Sequence, residues 1–93
     1  MIVTLASSLR VGEDVVFREL DGEAVILNHA SGVYFGLDEV GTRMWQLIEQ
    51  HGGLRDVLAR LREEYDAAPD VLEHDLVDLA SQLVAKGLVV ARS

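Results

Sequence analysis

Cysteine is absent from this 93-residue chain, proline and tryptophan occur once each, and aromatic residues make up only 5%. Without a thiol the chain has neither disulfides nor thiolate metal sites, which fits a cytoplasmic protein. Positive charge is also scarce. Eight Lys and Arg stand against sixteen Asp and Glu, a net charge of −8. Phosphate backbones are held by clustered cations, so this balance argues against a nucleic-acid partner and makes a neutral or basic peptide the easier one. No apolar run approaches the ~18 residues of a membrane span. The opening MIVTLASSLRVGEDVV lacks the basic n-region of a secretory signal and reads as mature sequence.

The residues that carry chemistry are equally thin. His29, His51 and His74 are far apart, without the spacing of a metal site. No nucleophile elbow surrounds any serine, and Gly41-Thr42-Arg43 and Gly52-Gly53 lack the lysine and spacing of a P-loop. Glu63-Glu64, beside Arg60 and Arg62, reads as a solvated helix end, and Trp45 reads as core. The expectation is a protein with no catalytic residue, no metal and no cofactor, and so not an enzyme.

What is present is a change of period partway along a single domain, residues 1–93. Val15 to Leu20, Ala24 to Asn28 and Val33 to Leu37 read as strands, joined by a tight DGE turn at 21–23 and a slightly longer HASG turn at 29–32. Loops this short join antiparallel neighbours, so the three should form a meander. From Asp38, a suitable N-cap, the period becomes helical. Val40, Met44, Leu47 and Ile48 form a stripe ending near Gly52-Gly53. Leu54, Val57, Leu58, Leu61 and Tyr65 form a second. Pro69 fits the first position of a third helix with core stripe Leu72, Leu76, Leu79 and Leu83, which Gly87 stops. LVV at 88–90 is extended, a candidate extra strand. The fold class is therefore α+β, a three-stranded antiparallel sheet followed by three helices, winged-helix-like in its parts.

One strand lacks what its neighbours have. The first strand carries Arg18 and Glu19, charges of the kind that blunt a sheet edge against unwanted pairing. Val33-Tyr34-Phe35-Gly36-Leu37, the other edge if strand order follows sequence, carries none. Two readings stand. Either Met1 to Leu5 or Leu88 to Ala91 covers this edge, or it is kept open for an extended peptide that adds as a further strand. Gly36 favours the open edge, since a missing side chain lets another backbone approach; the alternative for it is a bulge. The third helix would wall such a groove with Val71, Asp75, Asp78 and Gln82, its two carboxylates facing a basic partner. A proline at Phe35 should then remove a backbone donor needed for binding.

These residues resemble a known family. AVILNHASGVYFGLDEVGTRMWQLI (24–48) is similar to the PqqD-like family, the RiPP precursor-peptide recognition elements. The resemblance lies in Asn28 ending a strand, Gly32 in the turn, the aromatic pair Tyr34-Phe35, then Leu37-Asp38, Gly41 and Trp45 four residues on. LREEYDAAPDVLEHDLVDLASQLVAKGLV (61–89) resembles the family's remainder, and the likeness covers roughly residues 14–91. Ala68-Pro69 and the first dozen residues match no family pattern. The resemblance implies a winged-helix-like fold without DNA binding. It also implies that the leader segment of a ribosomally made precursor peptide adds to the third strand (Val33, Tyr34, Phe35, Gly36, Leu37) and packs on the third helix. A modifying enzyme is the implied second partner, either a radical SAM enzyme of pyrroloquinoline quinone synthesis or the leader peptidase of a lasso-peptide pathway. The aromatic strand followed by Gly-Leu-Asp points to a lasso-type or uncharacterised pathway, and the absence of a second domain to a stand-alone peptide chaperone. Two rivals remain: a winged-helix transcription regulator, and a dimerisation module in which the bare edge pairs with its own copy. The regulator would need a basic recognition helix, whereas the third helix sets Lys86 alone against Asp70, Glu73, Asp75 and Asp78.

Overall fold

The computed structural model describes residues 2–92. Four strands, β1 (Ser8–Val11), β2 (Val15–Leu20), β3 (Glu23–Asn28) and β4 (Tyr34–Gly36), precede three helices, α1 (Glu39–His51), α2 (Leu54–Glu64) and α3 (Pro69–Ala85), and β5 (Val89–Arg92) follows. β2, β3 and β4 form the expected antiparallel meander in sequence order, with β2 and β4 at its edges. Asp21 and Gly22 form the two-residue turn between β2 and β3, both with positive φ (54° and 81°). That conformation matches the twist of the strands it joins, and Asp-Gly is among the few pairs that adopt it cheaply.

The expected helices form where their caps fall. The Asp38 carboxylate accepts the Gly41 N–H at 2.8 Å, and Pro69 opens α3. Gly52, at φ 75°, ends α1 and also admits a neighbour: a side chain there would press on the Leu9 carbonyl, whose own N–H donates to the Gly52 carbonyl at 2.9 Å. That contact belongs to an element the sequence reading missed. β1 pairs antiparallel with β5, Leu9 opposite Ala91, in a separate two-stranded ribbon beside the helices. Leu88–Ala91 therefore does not cover β4, and residues 2–5 do not pair with it either. Met1 lies outside the described residues. The covering reading is thus corrected: β5 is occupied by β1, and among the described residues the outer edge of β4 is open.

One face of the meander packs on the helices through Ala24 and Ile26, against Trp45, Leu47, Ile48, Leu61, Leu76 and Leu83. Trp45 is fully buried, with Phe17 edge-on to it at 5.6 Å between ring centroids. The opposite sheet face keeps Val16, Leu20, Val25 and Tyr34 exposed. Two expectations for the helix stripes need correcting. Ala80 rather than Leu79 completes the buried stripe of α3, and Val40 at the start of α1 is exposed. Along α3 both 79 and 80 fall near the helical repeat, and the small Ala80 takes the closer packing position.

Buried Thr42 locks α1 to the sheet. Its hydroxyl accepts the Ala24 N–H at 2.8 Å, while Leu37 N–H donates to the Ala24 carbonyl, so the end of β4 and the start of α1 share one anchor. At the sheet's far end, Asn28 donates from Nδ2 to the Gly87 carbonyl at 3.0 Å and accepts from Ala30 and Ser31, pinning the end of α3 beside β3.

Glu63 and Glu64 lie on an exposed helix end as expected, but Glu64 has a partner from another helix that the reading did not give it. Arg43 donates two hydrogen bonds of 2.7 Å to its carboxylate, joining α1 to α2. Those bonds hold the Glu64 carboxyl below its ordinary range. Its contribution to stability is therefore present above the unfolded-state carboxyl pKa and is lost as pH falls through the lower folded value. The two side chains are 33% and 36% exposed, so solvent screening limits the pair to about 1 kcal/mol. Glu64→Gln should cost no more than that at pH 7 in a urea melt, with the difference from the unsubstituted chain shrinking as the pH is lowered through the carboxylate range.

Candidate functional site

The geometry of β4 follows from its register. Val25 faces Gly36, Ile26 faces Phe35 and Leu27 faces Tyr34. Beyond the strand limits, Asn28 N–H donates to the Val33 carbonyl and Leu37 N–H to the Ala24 carbonyl, both at 2.8 Å. Pairing thus spans the expected Val33 to Leu37, although the regular strand is only Tyr34–Gly36. Hydrogen-bonded and non-bonded pairs alternate along an antiparallel ladder. Val33, Phe35 and Leu37 therefore turn their backbone groups inward to β3, and Tyr34 and Gly36 turn theirs out to the open edge.

This parity corrects the expectation for proline at Phe35. The Phe35 N–H belongs to the internal ladder, so its removal would damage the fold. The donors available to an added strand are those of Tyr34 and Gly36. Nothing lies within 4 Å of where a Gly36 side chain would sit, and the β3–β4 register runs through it unbroken. Gly36 is open edge rather than bulge.

Side chains alternate in the same way. Tyr34 points to the outer sheet face, 72% exposed, while Phe35 and Leu37 lie on the core side. There a cleft of about 440 Å³ opens between β4 and α3. Phe35, Gly36, Leu37 and Asp38 form one wall, with Val40, Gly41 and Met44 from the start of α1; Asp75, Asp78, Leu79 and Gln82 of α3 form the other. The two hydrophobic residues that departed from the expected stripes, Val40 and Leu79, are accounted for here: both line the cleft, and Leu79 also packs against the core. Asp38, Val40, Gly41, Met44 and Leu79 are lining residues that sequence reasoning did not propose. For Val40 and Leu79 the signal was an apolar residue at the margin of the buried stripe, which period alone does not resolve; Asp38 and Gly41 were read only as the cap of α1, and Met44 only as core.

Of the expected residues, Phe35, Gly36, Leu37, Asp75, Asp78 and Gln82 come together in the cleft. Val33 and Tyr34 sit on the edge above it. Val71 is 51% exposed and lies outside the lining, because the cleft is only as long as β4 while α3 continues a further turn toward its start. Gln82 donates to the Asp78 carboxylate at 3.0 Å, and the Lys86 ammonium stands 5.6 Å from the Phe35 ring centroid, a cation–π distance. Among the described residues no group of His, Asp and Glu is arranged to hold a metal ion, and no helix is long and apolar enough to cross a membrane.

Fold and cleft together define a small winged-helix-like α+β domain with one open strand edge above a helix-walled groove. The family described as coenzyme PQQ synthesis protein D (PqqD) matches residues 23–89, and the chain belongs to that family. Two solved structures share the fold. One, described as TbiB1 in complex with the TbiA(beta) leader peptide, is 34% identical, with a TM-score of 0.80 over 86% of this chain and 93% of that one. The other, described as lasso peptide synthetase B1 complexed with the leader peptide, is 23% identical, with a TM-score of 0.79 over 89% of this chain and 98% of that one. No curated protein matches the chain.

Proposed function

We propose that this protein is a non-catalytic adaptor that binds the leader segment of a ribosomally synthesised precursor peptide and presents it to a modifying enzyme or leader peptidase. The reading rests on one observation: an uncharged edge strand directs the backbone groups of Tyr34 and Gly36 outward beside a cleft walled by α3. An extended peptide added there gains backbone hydrogen bonds from the edge, and every second side chain drops into the cleft, the arrangement by which strand addition combines affinity with selectivity. Val33 to Leu37 supply the pairing surface. Asp75, Asp78 and Gln82 face the inserted side chains, and Val71 extends the wall for a leader that runs past Leu37. The likeness to TbiB1 supports a leader peptide as the occupant, and the aromatic strand followed by Gly-Leu-Asp favours a lasso-type or uncharacterised pathway over quinone synthesis.

Holding the leader near an enzyme raises the effective concentration of the attached core without adding any catalytic group. Titration with the leader peptides encoded beside this protein's own gene should give saturable binding, and mass spectrometry should find the precursor unchanged by this protein alone. With the partner enzyme added, turnover should rise for the full precursor and not for a leaderless core peptide. A mass change produced by this chain alone would overturn the adaptor reading. Dimerisation that leader peptide does not disturb would move the open edge to self-pairing.

A further inference from the structure

Resting on the leader-binding reading, we infer that the cleft selects peptides by the order of their charges: a basic residue, then an apolar one, then an acidic one, at alternate positions from N- to C-terminus. The observation behind this is that the cleft is electrically lopsided along its length. Asn28, opposite Val33, bonds to Gly87, and Lys86 lies over Phe35, so the C-terminal end of α3 sits at the start of β4. Asp75 and Asp78 line the same cleft as Asp38, Val40 and Gly41, which follow the end of β4. Lys86, just outside the lining, thus sets a cation beside one end, over Phe35, and three carboxylates line the cleft toward the other, with Met44 and Leu79 between them. Among the described residues Asp75, Asp78 and Lys86 take part in no ion pair.

The spacing sets the register. Lys86 stands about 12 Å along the helix from Asp78 and about 16 Å from Asp75 at 1.5 Å per residue. A strand covers such a span in about four residues at roughly 3.3 Å each. Side chains alternate, so peptide positions i, i+2 and i+4 all point into the cleft, one at each end and one at its apolar middle. Antiparallel addition continues the meander's own pairing and is the commoner and slightly more stable geometry. It brings the peptide's N-terminal side to the carboxylates and its C-terminal side to Lys86. The occupant is therefore an extended peptide reading basic–x–apolar–x–acidic. The reversed order would set like charges face to face at both ends, which disfavours the wrong register more than it weakens the right one.

Three nine-residue peptides, acetylated and amidated to remove terminal charge, test this by fluorescence polarisation. They carry at the three cleft positions Lys-Leu-Glu, Glu-Leu-Lys, or Gln-Leu-Gln. The first should bind about tenfold more tightly than the second, with the neutral peptide between them. The gap should close between ~50 and ~500 mM salt, as screening predicts. Asp75→Asn with Asp78→Asn should lower affinity for the first peptide and narrow its advantage over the second. The triple variant Asp75→Lys, Asp78→Lys, Lys86→Glu, all at exposed positions, should invert the preference. Equal binding of all three peptides would overturn the charge reading while leaving leader binding intact, and tighter binding of the second would overturn the direction. If none of these peptides nor the protein's own leader bound, the adaptor reading beneath it would fall instead.

Discussion

Gly36→Pro is expected to leave the protein folded and to weaken leader binding at least ~100-fold, because proline both deletes an outward donor and places its ring where the added strand must approach. The position makes this a clean test. The Gly36 backbone groups face away from β3, so no internal hydrogen bond is lost, and there is open space where the new side chain atoms begin. Gly36→Ala is the paired control. It keeps the N–H and adds a methyl group on the open sheet face, and its affinity should stay within about threefold of the unsubstituted chain, as expected where no buried contact changes. Phe35→Pro, one residue away, should instead unfold the edge, since its N–H serves the ladder to Ile26. Circular dichroism separates the two outcomes and polarisation reads the binding. A folded Gly36→Pro protein with undiminished affinity would sink strand addition.

Trp45→Ala should be the most damaging single change to stability. The side chain is wholly buried among the core residues of α1, α2 and α3 and meets Phe17 edge-on. Truncating a buried Trp costs about 3–5 kcal/mol, in a domain whose total stability is on the order of 5–15 kcal/mol. Trp45 also carries an oddity: its indole N–H is buried without an acceptor among the described residues. Leaving a donor unpaired costs about 1–3 kcal/mol, so Trp45→Phe removes that penalty while keeping most of the ring. Its loss in a urea melt should be well under half that of the alanine variant. A phenylalanine variant as unstable as the alanine one would mean the indole's full volume, rather than an aromatic ring as such, is what the core requires.

Much of this was legible because local chemistry and fold agreed. The uncharged run at 33–37, the Asp-Gly turn, the Asp38 cap and Pro69 each act within a few residues, and each stands where its pattern put it. The ribbon was half legible: the extended run at 88–90 is β5, but β1 was not seen. Ser8-Leu9-Arg10-Val11 alternates polar and apolar, but over only four residues, and its partner strand lies at the other end of the chain, a pairing no local preference encodes. The cleft was half legible. Periodicity identifies apolar residues on a helix face, but it does not say whether Val40 and Leu79 meet the core or a groove, since both environments favour the same side chains. Nor does it give the direction of each backbone N–H in β4. That depends on ladder parity, and parity appears only once Val25 is known to face Gly36.

The residues that hold the domain together and those that line its groove are nearly separate sets. Among the lining residues only Leu37 and Met44 are also buried in the core. Val40, Asp75, Asp78 and Gln82 can therefore vary with little toll on folding, whereas Trp45 or Leu76 cannot. On the proposed function, a lineage carrying this scaffold is free to follow a drifting leader by changing its groove alone, in small steps that never pass through an unfolded intermediate sequence. For the laboratory, the same separation makes those four positions the natural ones to randomise when re-aiming the scaffold at a new peptide.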